Sequence, residues 1–382
     1  MKHPRITFVT GTRADFGKML PLMRAVESDG EFICEIVATG MHLMRNYGYT
    51  FNEIQIAGFS NIFPMFNQDS TISQKMDLAL ASTIVPFSHY VSERSPELIV
   101  VHGDRVESLA AVIVGSLNNV KVAHVEGGEI SGTIDESLRH AITKLATIHF
   151  VSNDTARRRL MQLGEEESSI HVIGSPEVDI MLCGNLPDIA TVRERYEIAF
   201  PDYAIIVYHP VTSEIDSIEA YAEALFSAAE KSGVNFVVIR PNNDLGSVFI
   251  NKRIDRIQAK ERFRVLPSMR FEYFLSLLRD ARFVLGNSSL GVREAPVYGV
   301  STINVGSRQS RRFEAASIVN VHENYEAILA SIRNPPRRVA PVQAFGDGHA
   351  ADRFLRLLKS AELWKTPTQK QFVDRPLSPN AI

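Results

Sequence analysis

Short apolar, β-prone runs alternate with helical signals along most of this chain, and the alternation occurs twice, on either side of a polar stretch at 184–201 flanked by Pro187 and Pro201. In the first half the pattern predicts strands at 5–10, 32–38, 61–66, 98–101, 120–125, 148–151 and 170–173. Helices are expected at 18–26, at 72–94 with an interruption near Pro86, at 106–117, at 137–146 and between the last two strands. The second half predicts strands at 204–207, 236–239, 263–266, 283–285 and 301–305, with helices between them that include 218–231 and 271–278. Strand–helix units of this length imply parallel sheets covered on both faces. The fold class expected is therefore α/β, with two doubly wound Rossmann-like domains facing a cleft. The boundaries expected are 1–184 for the first domain, 202–348 for the second, and 349–382 for a C-terminal helix and tail packing back toward the first. Beyond Trp364 the tail is expected to be loosely ordered, with Trp364 and Phe372 as residues that could dock.

At 382 residues the chain is long enough for two cores, and its 45% hydrophobic and 22% charged shares are those of a water-soluble globular protein. A net charge of −3 gives no reason to expect nucleic acid or an anionic membrane as a partner. Any bound anion must be held by local Arg and Lys side chains. Two cysteines, Cys34 and Cys183, suggest neither a zinc cluster nor a disulfide framework and fit a reducing cytosol. The apolar run 6–9 is too short for a signal-peptide core, and no run approaches the roughly 20 residues that span a bilayer, so a cytoplasmic protein is expected.

In doubly wound sheets ligands gather at the carboxyl ends of the strands. The stretch Phe283-Val284-Leu285-Gly286-Asn287-Ser288-Ser289 reads as a strand and turn, with Ser288 or Ser289 capping a helix from about Leu290. Free amides at such a helix start would attract a phosphate, and Glu294 would lie close enough to accept bonds from sugar hydroxyls. An ordinary capped turn with a surface Glu is an equal alternative. The loop Gly11–Lys18 matches neither dinucleotide nor P-loop fingerprints, which disfavours redox cofactors, but it carries Arg13 and Lys18. Asp104 and Glu126 each follow a strand, and Asp135 precedes a helix, with His102, His124, Arg105 and Arg139 nearby. Each acid alone is readable as a cap or an ion-pair partner; three converging favour general acid/base work. No metal-ligand spacing occurs, and no metal site is assigned. His209, which ends the first strand of the second half, is readable either as a diphosphate ligand or as a capping residue in a tight turn.

These residues together carry a resemblance. Gly11-Thr12-Arg13-Ala14-Asp15-Phe16-Gly17-Lys18, Thr39-Gly40-Met41-His42, His102-Gly103-Asp104-Arg105, His124-Val125-Glu126-Gly127-Gly128-Glu129, Asp135-Glu136-Ser137-Leu138-Arg139-His140, Gly286-Asn287-Ser288-Ser289 with Arg293-Glu294, and Gly306-Ser307-Arg308-Gln309 occur in order from residue 5 to about 320. The set resembles the hydrolysing UDP-N-acetylglucosamine 2-epimerases of sialic acid biosynthesis, relatives of the non-hydrolysing epimerases with the glycosyltransferase-B fold. Non-hydrolysing relatives usually read Gly-Thr-Arg-Pro-Glu at the first loop; Ala14-Asp15 stands there instead.

The resemblance implies that Arg13, Lys18, His209, Asn242, Ser288, Ser289, Glu294 and Arg308 hold UDP, with Glu294 on the ribose, and that Asp104, Glu126 and Asp135 are the catalytic acids. Arg105 and Arg139 are expected beside the substrate. No cofactor is implied, the partner is a UDP-sugar, and a homodimer or homotetramer is expected. The activity implied is conversion of UDP-N-acetylglucosamine and water to N-acetylmannosamine and UDP. A 2,4-diacetamido UDP-sugar as substrate, a non-hydrolysing epimerase, a glycosyltransferase of the same architecture and a silent nucleotide-sugar sensor are the alternatives.

Overall fold

The computed structural model describes residues 3–68 and 75–375. Its first sheet has seven parallel strands: β1 (Arg5–Thr10), β2 (Ile33–Ala38), β3 (Ile62–Pro64), β4 (Leu98–His102), β5 (Lys121–Val125), β6 (Ile148–Val151) and β7 (Ile170–Val172). They run in the order β3-β2-β1-β4-β5-β6-β7. The helices threaded between them are α1 (Arg13–Asp29), α2 (Phe51–Ile56), α3 (Met76–Arg94), α4 (Val106–Leu117), α5 (Ile134–Leu145) and α6 (Asp154–Gln162), with α7 (Pro176–Leu182) after β7. β4 is buried along its whole length because helices cover both faces, which is why it reads as the unbroken apolar run Leu-Ile-Val-Val.

After α8 (Ile189–Arg195), a second sheet uses β8 (Ala204–Val207), β9 (Phe236–Ile239), β10 (Phe263–Leu266), β11 (Phe283–Gly286), β12 (Ser301–Val305) and β13 (Ile318–Val321) in the order β10-β9-β8-β11-β12-β13. Its helices are α9 (Ile218–Ser232), α10 (Ser247–Asp255), α11 (Phe271–Asp280), the short α12 (Glu294–Val297) and α13 (Tyr325–Arg333). In both sheets the chain reverses direction of travel beside the first strand, β1 in one and β8 in the other. Those reversals put the carboxyl ends of β1, β4, β8 and β11 around one cleft.

α14 (Ala350–Leu358) and α15 (Ala361–Lys365) return to the first sheet. Phe354 packs edge-on against Phe150, with ring centroids 4.9 Å apart, and also meets Phe8. Trp364 Nε1 donates to Leu358 O at 2.7 Å, and the chain continues to a clasp at the far end of α5. There Lys370 Nζ donates to Thr143 O at 3.0 Å and pairs with the fully buried Glu165, and Lys144 Nζ lies over the Phe372 ring, 5.3 Å from its centroid. No helix among the described residues is long and apolar enough to cross a membrane.

Four sequence expectations change. Residues 13–17 are not loop but the first turn of α1, because Asp15 N–H donates to the Thr12 hydroxyl and starts the helix early. α3 runs unbroken through Pro86, and the expected start at 72 lies outside the described residues. The expected C-terminal helix is two, parted at Ser360, whose hydroxyl accepts from Glu362 N–H. No long helix follows Ser289. A 3-10 turn, Ser289–Gly291, is succeeded by the four-residue α12, with Val292 and Arg293 between them at φ −109° and −113°. Ser288 holds the capping position of that turn without accepting a cap bond, so a helix dipole is not what would hold an anion there.

Candidate active site

The cleft between the sheets encloses about 290 Å³. Arg13, Lys18, Asp104, Arg105, Glu126 and Asp135 line it from the first sheet. His209, Asn242, Ser288, Ser289, Glu294 and Arg308 line it from the second. Arg139 stands behind this surface, 1% exposed, paired with Asp104 and donating to Glu129 O at 3.1 Å.

The three acids reach the cleft by different backbone routes. Gly103, at φ +68°, turns the chain between β4 and Asp104, a conformation that a side chain would disfavour. His124 Nε2 donates to the Gly103 carbonyl at 2.8 Å, and its Nδ1 accepts from the Thr143 hydroxyl at 3.0 Å. Burial holds His124 down to about 3, so this imidazole is neutral and fixes the turn as a plain donor and acceptor. Glu126 follows β5 at φ +67°, a strained position for a residue with a Cβ. Asp135 sits in the first turn of α5.

Their electrostatics diverge. Burial disfavours the Asp104 carboxylate, yet Arg139, then Arg312 and Arg308, hold it below its ordinary range. Glu126 is also buried, and Arg293, His102 and Lys18 hold it well below. Asp135 goes the other way: its burial outweighs Arg308, and the charges of Asp104 and Asp244 add to the upward push. Carboxyls separated in this manner can serve as bases and acid in one site at neutral pH.

His102 lies between two carboxylates. Its Nδ1 is 3.0 Å from Asp15 and its Nε2 is 3.3 Å from Glu126, the latter an ion-pair contact without hydrogen-bond alignment. Burial lowers it, but Glu126 and Asp15 raise it to about 10, so it is an imidazolium. Lys18 crosses to the second domain and sits 3.0 Å from Glu294.

The second sheet contributes a rigid turn. Gly286 has φ +137°, and a Cβ there would stand 2.1 Å from Val207 O. Only glycine allows β11 to run this close to β8. Asn287 then accepts from His209 N–H at 2.7 Å and donates back to His209 O at 2.8 Å, locking the two strand ends together. His209 Nδ1 accepts from Asn242 N–H at 3.3 Å, and burial holds the ring down to about 3, so it is neutral. Arg308 donates to Asn287 O at 3.3 Å and to Asp135 Oδ2 at 3.0 Å. Arg13 donates to the Ser268 hydroxyl at 2.7 Å and also pairs with Glu53. Arg105 bridges Glu107 at 3.3 Å and Asp244 at 3.5 Å.

Several groups were not singled out by sequence. Arg293, 1% exposed, reaches Glu126 at 2.5 Å and Glu177 at 2.7 Å, and also pairs with Glu129. Arg312 donates to the other Glu129 oxygen at 2.9 Å. Arg293 carried a signal by standing next to Glu294 in the motif after β11, and Glu129 by ending the motif after β5. Glu177 and Arg312 lay outside every motif.

A protein-family model described as UDP-N-acetylglucosamine 2-epimerase matches residues 24–359. The chain is 40% identical to the UDP-N-acetylglucosamine 2-epimerase of Neisseria meningitidis serogroup B, over 97% of this chain and 99% of that one. It is 34% identical to the UDP-N,N'-diacetylbacillosamine 2-epimerase (hydrolyzing) of Legionella pneumophila, over 94% and 96%. Its fold matches the crystal structure of Methanocaldococcus jannaschii UDP-GlcNAc 2-epimerase in complex with UDP-GlcNAc and UDP. The TM-score there is 0.79 at 21% identity, over 93% of this chain and 99% of that one. The two-sheet architecture is thus glycosyltransferase-B-like.

Proposed function

The chain belongs to the UDP-N-acetylglucosamine 2-epimerase family, and we propose that within it the protein is a hydrolysing enzyme that converts UDP-N-acetylglucosamine and water to N-acetylmannosamine and UDP. The observation that carries the acid/base chemistry is the convergence of three acids on one cleft, with Asp104 and Glu126 held low and Asp135 pushed up; Ala14-Asp15 in the first loop favours the hydrolysing branch. The Legionella relative, whose name includes hydrolyzing, supports the same branch.

The sugar's C2 proton has no neighbouring carbonyl to acidify it, so direct removal to a carbanion is implausible. Departure of UDP develops oxocarbenium character at C1, which nearby carboxylates stabilise and which loosens the C2–H bond. Asp104 or Glu126 takes that proton. The C1–O bond breaks with its electron pair leaving on UDP, and a C1=C2 double bond forms, giving 2-acetamidoglucal. Water then adds at C1 while a proton reaches C2 from the opposite face, which inverts that centre. Asp135 is the carboxyl best suited to deliver a proton, since its environment favours the protonated form. Arg13, Lys18, Arg308, Asn242, His209, Ser288 and Ser289 hold the UDP, and Glu294 holds its ribose. A free N-acetylmannosamine product would suit the entry to sialic acid synthesis, as the family resemblance implies.

A second substrate, a 2,4-diacetamido UDP-sugar, is favoured by the Legionella relative's name. Separation of products by anion exchange tests both. Free UDP with free N-acetylmannosamine is expected from UDP-N-acetylglucosamine. A UDP-linked manno sugar as sole product contradicts hydrolysis, and turnover of the diacetamido sugar alone assigns the second substrate.

A further inference from the structure

We infer that Arg293, reaching from the second domain onto Glu126, Glu129 and Glu177 of the first, is a positioning residue that completes Glu126 as the proton-abstracting base. The inference rests on the proposed epimerase reaction and goes beyond it, because none of the cleft motifs includes this arginine in a role.

The geometry is specific. The guanidinium is 1% exposed and its Nη2 donates to Glu126 Oε1 at 2.5 Å, to Glu177 Oε1 at 2.7 Å and to Ser175 Oγ at 2.5 Å. Nη1 pairs with Glu129, and Nε donates to Glu177 at 3.3 Å. Phe345 lies against the guanidinium, its ring centroid 4.7 Å from Cζ. A planar fork with five donors suits such a cluster; a lysine ammonium would not span it. The first domain gathers three buried carboxyls at one point; burial pushes Glu177 toward its protonated form, and Glu126 and Glu129 are carboxylates that repel unless a cation enters. That cation comes from the opposite sheet, so the base is assembled from both sides of the cleft.

The charged and titratable groups facing Glu126 are Arg293 from the turn after β11, His102 from β4, Lys18 from α1, Arg139 from α5 and Glu177 from α7. Among the cations, Arg293 exerts the largest downward pull on Glu126. It touches Glu126 but is not positioned to touch the sugar, since the cleft surface does not include it. Its effect is therefore on turnover and its pH dependence rather than on UDP affinity.

The test compares wild type, Arg293→Gln and Arg293→Lys by UDP release from UDP-N-acetylglucosamine between pH 3 and 9, with UDP affinity by calorimetry. Loss of the paired charge is expected to move the acidic limb of kcat in Arg293→Gln upward by about one to three pH units. Turnover at pH 7 falls while UDP affinity stays within about threefold. Arg293→Lys keeps the charge, so its acidic limb stays near that of wild type while kcat drops about tenfold for the lost fork. An unmoved limb in a folded Arg293→Gln variant, or a loss confined to KM, overturns the inference. If Arg293→Gln does not fold, Arg293→Lys decides: lowered kcat at constant KM supports the role, and wild-type turnover overturns it. Wild-type protein that releases no UDP contradicts the proposed function itself, and the inference falls with it.

Discussion

Arg308 Nη2 donates to Asp135 Oδ2 at 3.0 Å, joining a second-domain cation to a first-domain acid directly across the cleft. The same guanidinium is proposed to hold the diphosphate, so ligand and Asp135 compete for it. When the diphosphate takes Arg308, Asp135 loses the partner that most favours its charged form and becomes a better proton donor. Arg308→Ala is expected to weaken UDP binding by about tenfold to 150-fold, the equivalent of about 1.5–3 kcal/mol for a charged hydrogen bond. Titration calorimetry with UDP checks this, and unchanged affinity removes Arg308 from the diphosphate site.

The three acids are proposed to serve the chemistry rather than the binding of UDP. Asp104→Asn, Glu126→Gln and Asp135→Asn are each expected to lower turnover by about 10²–10⁴-fold, the usual range for a general acid or base, with UDP affinity kept. Initial rates and UDP titrations on the three variants give the answer. Near-normal rates in all three would remove the catalytic assignment.

Much of this architecture was legible because its strands are buried on both faces. Runs such as Leu98–His102 and Ala204–Val207 need no partner to be recognised, and Asp104, Glu126 and His209 follow from where such strands end. β13 was missed because Ile-Val-Asn-Val is an edge strand with two exposed residues and little apolar signal. α7 was missed because it is seven residues long and starts at a proline. The Arg293 cluster was not legible for a different reason. Glu126, Glu129, Glu177 and Arg293 lie on separate segments, and their meeting depends on how the two sheets face each other. The helix expected after Ser289 is instead a 3-10 turn and the four-residue α12, a break at Val292 and Arg293 that local capping signals do not report.

Stability should depend on pH through Glu177 and His102. Burial, with Glu126 beside it, pushes the Glu177 carboxyl up to about 8, so the folded chain keeps a proton that the unfolded chain has released above about 4.5. The stability this gives is full at low pH and is lost as pH rises through about 8. His102 behaves alike in a higher window, its contribution fading from the ordinary imidazole range up through about 10. Glu177→Gln cannot titrate. Thermal midpoints from pH 5 to 8 should therefore fall less steeply in Glu177→Gln than in wild type, while the His102 slope persists above 8. Parallel curves would show that Glu177 is an ordinary carboxylate.

The C-terminal clasp makes a separate prediction. Glu165 is fully buried and shared by His149 Nε2 at 3.1 Å, Lys144 at 2.8 Å and Lys370. Breaking a buried pair outright costs about 3–5 kcal/mol, but two partners remain and Lys370 is partly exposed, so Lys370→Ala should cost about 1–2 kcal/mol. Denaturant midpoints measure it, and an unchanged midpoint would mean that the clasp contributes nothing to stability.

Elimination of UDP followed by hydration with inversion at C2 can be followed in a proton NMR time course in deuterated water with UDP-N-acetylglucosamine, without added metal or acceptor. Free UDP is expected to appear together with N-acetylmannosamine that carries deuterium at C2. Interconversion with a UDP-linked manno sugar and no free sugar, or a free product that keeps its original C2 proton, would contradict that course of reaction.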